Sequence, residues 1–149
     1  MADSKGLHGL EVRQDARALA GRVYVLSRDF PAYEQYGLVS QMRRSAVSVM
    51  SNIAEGYGRY SRKDFSHFLH MARGSLLELK SLCILSADLG FLRAEQREKI
   101  EIDCDNVGRR LNALLRSLQQ TVNSPVKVAA QSKANQAPSA KRQAQATKE

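Results

Sequence analysis

The residues of this sequence best suited to chemistry lie in one basic run, YGRYSRK, at residues 57–63. Three cations and two phenol rings around a glycine can hold phosphate groups and stack on unpaired bases. A helix is predicted to start beside the run, and its first backbone N–H groups also attract anions. The run is therefore a candidate nucleic-acid interface. The plainer interpretation is a solvated helix connection in which Arg59 or Arg62 pairs with Glu55.

Other cationic candidates lie on the predicted helices. Together with the cations of the run, the candidate nucleic-acid-binding residues are Arg43, Arg44, Arg59, Arg62, Lys63, Arg109, Arg110 and Arg116. Arg109 and Arg116 are seven residues apart, so they share one helix face, away from the apolar positions of that helix. For each of these side chains the ordinary alternative is a solvated helix surface.

Three polar residues, Asn52, Glu55 and Arg44, are predicted to form a hydrogen-bonded network that fixes helix packing. This interpretation is preferred to an acid–base pair because no Ser-His-Asp order, Gly-rich phosphate loop or paired carboxylates accompany them. His67 and His70 are three residues apart, but no acidic or thiol ligand is placed beside them, so no metal site is predicted. The sequence predicts a protein without catalytic activity or cofactor.

The net charge is unevenly distributed along the chain. The 149 residues include 23 Lys and Arg against 15 Asp and Glu, a formal net charge of +8. Residues 125–149 hold five of the cations, one of the acids, no aromatic residue and few large apolar side chains. Such a segment buries too little apolar surface to offset the entropy of ordering it. We predict one folded unit over residues 1–124 and a disordered basic tail over residues 125–149.

Four stretches of the folded unit have helical periodicity, and none has sustained strand-like alternation. They extend over about residues 12–30, 38–55, 61–89 and 94–122. Ser61 is a good N-cap for the third stretch, and Gly56 and Gly58 can end the second in a left-handed conformation. Short connections favour antiparallel neighbours. The predicted fold class is all-α, an antiparallel up-down four-helix bundle.

The third stretch is more apolar than a bundle requires. Nine of the fourteen residues from Leu76 to Leu89 are apolar, which exceeds one core-facing stripe. Four helices offer little second burial within a monomer, so we predict a subunit interface on this helix. Gly74 in the same helix is predicted to let the second helix approach closely.

Several features favour a cytoplasmic protein that does not enter membranes. No apolar run reaches the roughly 18 residues of a membrane span, and the first residues lack the apolar stretch of a signal peptide. Cys83 and Cys104 are too few for a disulfide framework. Both lie on apolar stripes, where they are expected to be small buried hydrophobes.

A set of motifs resembles one known family. The motifs are Phe30-Pro31, Glu34, Tyr36-Gly37-Leu38, Ser40-Gln41-Met42-Arg43-Arg44, Ser51-Asn52-Ile53-Ala54-Glu55-Gly56, Gly58-Arg59, Phe68-Leu69, Ala72-Arg73-Gly74-Ser75 and Glu78-Leu79. Over roughly residues 9–120, the chain is similar to the four-helix-bundle proteins encoded by intervening sequences of bacterial 23S rRNA genes. It departs from them at Met50, where the family usually has proline, and at Arg13, where it often has tryptophan.

The resemblance implies a ring-like homopentamer of four-helix protomers with no known catalytic activity. Distant relatives of the family, the accessory variability proteins of diversity-generating retroelements, are basic, bind nucleic acid and partner a reverse transcriptase. We therefore expect a non-enzymatic, oligomeric helical scaffold that binds RNA or DNA through basic residues. The alternative is a scaffold that docks another protein and has no specific nucleic-acid binding.

Overall fold

A computed structural model describes residues 4–120, and this part of the chain forms four long helices and no strand. The helices are α1 (Ser4–Leu26), α2 (Leu38–Tyr57), α3 (Arg62–Asp88) and α4 (Ala94–Gln120). Two short 3₁₀ turns, Ser27–Asp29 and Ala32–Glu34, connect α1 to α2. The predicted all-helical class is confirmed for these residues. The predicted basic tail, residues 125–149, lies outside them.

Local side-chain chemistry explains most of the predicted helix boundaries. The Ser61 hydroxyl accepts a hydrogen bond from the Asp64 backbone N–H at 3.0 Å, so the predicted N-cap of α3 is confirmed. Phe30 is extended before Pro31, because proline disfavours the helical region in the residue that precedes it. The first α-helix stops at Leu26, earlier than its periodicity indicated, and a 3₁₀ turn takes up the next residues.

The predicted left-handed end of α2 at Gly56 and Gly58 is wrong. Gly58 has φ −76°, an ordinary right-handed value, and the left-handed glycine of the described residues is Gly90, at φ +79°. Gly56 serves packing: a Cβ there would lie 2.9 Å from Phe65 Cδ2 and 3.1 Å from Phe68 Cβ. The residue is glycine because α3 passes too close for a side chain.

Each helix packs against its two neighbours in the order α1, α2, α3, α4 and back to α1. Contacts between α2 and α3 join Gly56 to Phe65, Ser48 to Ser75, and Met42 to Ser86. Helices α2 and α3 thus meet along most of their lengths, and the four helices bury one apolar core. Its largest fully buried side chains include Leu19, Met42, Ile53, Leu69, Leu79, Ile100, Leu111 and Leu118.

Helix α3 exposes part of its apolar surface. Leu77, Leu85 and the C-cap residue Leu89 are 57%, 45% and 52% exposed, whereas Leu76, Leu79 and Cys83 are buried in the core. The sequence therefore identified an apolar surface that the four described helices do not cover. Gly74, in contrast, is exposed, and a Cβ there would meet no atom within 4 Å. Its predicted role in close helix packing is wrong.

Within residues 4–120, no helix combines the length and apolar character needed to cross a membrane.

Candidate nucleic-acid interface

The connection between α2 and α3 presents one phenol and two cations to solvent. Tyr60 is fully exposed, and Arg62 and Lys63 are exposed in the first turn of α3. Neither cation has a carboxylate partner among the described side chains. Asp64 adds one negative charge to this turn. Tyr60, Arg62 and Lys63, which we call the basic turn, can offer a ring face and two charges to an anionic partner.

The other cation and the other phenol of the predicted run, Arg59 and Tyr57, contact side chains of their own protein. Arg59 forms an ion pair with Glu55, and its guanidinium lies 4.8 Å from the centre of the Phe68 ring. Of Arg59 and Arg62, the two arginines expected to pair with Glu55, Arg59 forms the ion pair. The positive charge of Arg59 is therefore largely balanced by Glu55 within the molecule.

Tyr57 turns inward, and its hydroxyl is buried. Its ring packs edge-to-face on Phe65, with centroids 4.8 Å apart, and the Arg13 guanidinium lies 5.2 Å from its centre. Burial raises the pKa of the Tyr57 phenol, and the positive charge of Arg13 opposes part of that rise. Arg13 covers the tyrosine ring as a flat cation.

Arg43 and Arg44 lie in the first half of α2, far from the basic turn. The 14 residues from Arg44 to Gly58 correspond to roughly 21 Å of helix axis. Arg43 donates to Ser27 Oγ at 2.9 Å and covers the Tyr24 ring at 4.7 Å, so it joins α2 to α1. Arg44 donates to Gln41 Oε1 at 2.6 Å and remains exposed.

The three α4 arginines have different surroundings. Arg110 forms ion pairs with Glu11 and with Asp15, the latter at 2.7 Å, so two carboxylates balance its charge. Arg109 donates to the side-chain oxygen of Asn106, and Arg116 is exposed. Of these three side chains, Arg109 and Arg116 have no carboxylate partner within the described range.

The predicted polar network is not assembled as expected. Asn52 donates to the Ser48 backbone oxygen at 2.9 Å and lies 3.1 Å from Ser48 Oγ. Ser48 Oγ in turn lies 2.8 Å from Ser75 Oγ on α3. Glu55 and Arg44 belong to separate contacts. The polar link between α2 and α3 is therefore built from one amide and two hydroxyls, and Ser75 is the member that the prediction missed.

The structure also brings together residues that the sequence did not group. A groove of about 720 Å³ lies between α3 and α4. Its walls are formed by Arg73, Leu76, Leu77, Lys80, Ile102, Cys104, Asp105, Asn106, Gly108, Arg109 and Asn112. Of these, only Arg109 was a predicted site residue. Arg73 gave no separate signal, because a lone arginine on a polar helix face is common.

The remaining candidates occupy ordinary positions. His67 and His70 are exposed on α3, and the His67 ring packs against Phe68 with centroids 5.8 Å apart. Cys83 and Cys104 are buried free thiols, as predicted. Burial raises the pKa of each thiol to about 12. Among the described residues, no three His, Cys, Asp or Glu side chains are grouped to hold a metal ion.

Comparison with known proteins adds a family and a fold. Residues 8–113 match the family model described as 23S rRNA-intervening sequence protein. A crystal structure of a protein of unknown function from the S23 ribosomal protein family of Bacteroides thetaiotaomicron is similar, with a TM-score of 0.69 and 23% identity. The similarity covers 73% of this chain and 98% of that one. None of the curated proteins compared with this chain matches it.

Proposed function

This chain belongs to the 23S rRNA-intervening sequence protein family, and we propose that it is a non-enzymatic helical scaffold that binds RNA or DNA. The observation that carries the proposal is the set of exposed cations without carboxylate partners in residues 4–120. Among the predicted binding residues they are Arg44, Arg62, Lys63, Arg109 and Arg116. Unbalanced cations retain their full attraction for phosphate, because no carboxylate of the protein must first be displaced.

The basic turn is the centre of the proposed interface. Tyr60 supplies a ring face beside two unbalanced charges, the combination that single-strand binding proteins use. The α3–α4 contacts pair Lys80 with Asp105 and Leu76 with Gly108. This order brings the last residues of α4 towards the first residues of α3. The five cations of residues 125–149 add to the charge that attracts phosphate.

The proposed scaffold is an antiparallel up-down four-helix bundle that assembles as a ring-like homo-oligomer, a pentamer by family resemblance. Reversed contact order supports the antiparallel arrangement, since Arg22 pairs with Asp103 whereas Asp15 pairs with Arg110. Exposed Leu85 and Leu89 offer apolar area for a second copy. A ring repeats each cationic patch, which strengthens the field that a polyanion meets. Free buried thiols favour a reducing, cytoplasmic location.

A mobility-shift titration of the full chain with RNA and with DNA, each at two salt concentrations, tests the proposal. Affinity should fall steeply with salt. The variant Arg62→Gln/Lys63→Gln should bind more weakly and flatten the salt slope by about 1.4 for single strands and about 1.8 for duplex DNA. The matched control is Arg97→Gln/Arg110→Gln, which removes two charges that carboxylates already balance.

Two results would decide against this function. No binding at low salt overturns it directly. Equal losses in the variant and its control would show that overall charge, and not the basic turn, governs binding. In either case the exposed apolar side chains of α3 favour the second candidate, a scaffold that docks another protein without specific nucleic-acid binding.

A further inference from the structure

The groove between α3 and α4 has a cationic rim. Arg73 on α3 and Arg109 on α4 line it, and neither has a carboxylate partner within the described helices. The one acidic residue of the lining, Asp105, is held by Lys80, whose Nζ lies 2.7 Å from its Oδ1. The groove therefore presents net positive charge to whatever enters it.

The groove also has apolar walls that the fold leaves open. Leu77 on α3 is 57% exposed, and Ile102 on α4 is 53% exposed. Both line the groove beside buried Leu76. Exposed aliphatic side chains in the same groove as cations suit a ligand that has a flat apolar part and an anionic part. Nucleotides have this character, since each joins a base with apolar faces to a phosphate.

Two amide side chains complete the lining. Asn106 and Asn112 lie on α4, six residues apart, and both contribute to the groove. Amide groups donate and accept hydrogen bonds at once, which lets them bond to the edges of bases. The Asn106 side-chain oxygen accepts from Arg109, and this bond orients the guanidinium on the rim.

We infer that the α3–α4 groove binds a single-stranded segment of nucleic acid, with phosphates on Arg73 and Arg109 and base faces on Leu77 and Ile102. The inference rests on the proposed function and narrows it to one class of nucleic acid. A duplex keeps its base faces stacked inside the helix, so it cannot place them on these side chains. The volume of about 720 Å³ is in the range of ordinary ligand clefts.

The groove and the basic turn can contact the same single strand of nucleic acid. On α3, Arg73 is eleven residues from Arg62, roughly 16 Å along the helix axis. On α4, Arg109 and Arg116 are seven residues apart and share a face. A strand that leaves the groove towards the end of α4 therefore meets Arg116 before it reaches the basic turn.

The test is fluorescence anisotropy with labelled RNA of about 12 nucleotides, within the span that single-strand binding folds cover, and with the same RNA as a duplex. Full-length protein should prefer the single strand. Leu77→Gln/Ile102→Gln should weaken single-strand binding about tenfold, the scale expected when two partly exposed aliphatic side chains lose their contacts. Duplex affinity should change less than threefold, or about 0.7 kcal/mol.

The matched control is Leu10→Gln/Val25→Gln, which replaces two exposed apolar side chains of α1 outside the groove. It should keep the preference for single strands. A second variant, Arg73→Gln/Arg109→Gln, should flatten the salt slope of single-strand binding by about 1.4. Thermal unfolding and light scattering of each variant verify that the fold and the molar mass are retained.

The outcomes separate the two proposals. If the protein binds single strand and duplex equally, and Leu77→Gln/Ile102→Gln changes neither, the groove inference is wrong while nucleic-acid binding through the basic turn stands. If no RNA binds, both fail. If Leu77→Gln/Ile102→Gln lowers the molar mass instead of the single-strand preference, the groove is a contact between copies of this chain, which also overturns the inference.

Discussion

The close approach of α3 to Gly56 predicts that one methyl group at this position destabilises the protein. In Gly56→Ala, the new Cβ would lie 2.9 Å from Phe65 Cδ2 and 3.1 Å from Phe68 Cβ. Phe65 is buried and also packs on Tyr57, with ring centroids 4.8 Å apart. Phe68 Cβ is bonded directly to its backbone. Neither of the two contact atoms can move away freely unless α3 shifts.

Two opposing contributions set the size of the effect. Added volume in a well-packed site costs about 1–3 kcal/mol. Alanine is favoured over glycine inside a helix by about 1 kcal/mol, and by less here, because Gly56 is the penultimate residue of α2. The net expected loss is about 1–2 kcal/mol. For a folded unit of this size that corresponds to a melting temperature lower by roughly 4–8 °C.

Gly74→Ala is the matched control, because it makes the same chemical change inside α3. A Cβ there meets no atom within 4 Å, so only the helix preference acts and stability should rise by about 0.5–1 kcal/mol. Urea unfolding followed by circular dichroism measures both variants. Opposite signs are expected. If Gly56→Ala is as stable as Gly74→Ala, the packing argument for Gly56 is refuted.

Three further predictions concern the buried thiols, one pair of ion pairs and one helix cap. Cys83 and Cys104 should resist labelling by a thiol reagent until the protein unfolds, and rapid labelling of the native protein would contradict their burial. The free energy of unfolding should fall as the pH rises from about 9 towards 12, because the thiols of the unfolded chain lose their protons at lower pH than those of the folded protein. Arg110→Ala should cost no more than about 1 kcal/mol in urea unfolding, since its ion pairs are partly exposed; a larger loss would mean that they are effectively buried. Ser61→Ala should cost about 1 kcal/mol through loss of the Asp64 N–H bond, whereas Ser61→Asp should retain the cap; equal losses in both would argue against capping.

The sequence alone predicted the four helices, because each depends on information within a few residues. Apolar side chains at spacings of three and four form a stripe that must be buried, as Met42, Ala46, Val49 and Ile53 are. The Ser61 cap and the break before Pro31 are equally local. Family motifs such as Asn52 to Gly56 are also runs of consecutive residues, so the sequence alone is enough to recognise the resemblance.

The tertiary structure decided which charges remain available and which glycine is constrained. Arg110 and Arg116 look alike along the chain, but α1 brings Glu11 and Asp15 to the first of them. Gly56 and Gly74 are likewise both helical glycines, but only at Gly56 does a neighbouring helix, α3, come too close for a side chain. The α3–α4 groove joins residues more than thirty positions apart, such as Arg73 and Arg109. Periodicity reports which face of a helix is buried, whereas the partner of that face and the open space beside it arise only when helices pack.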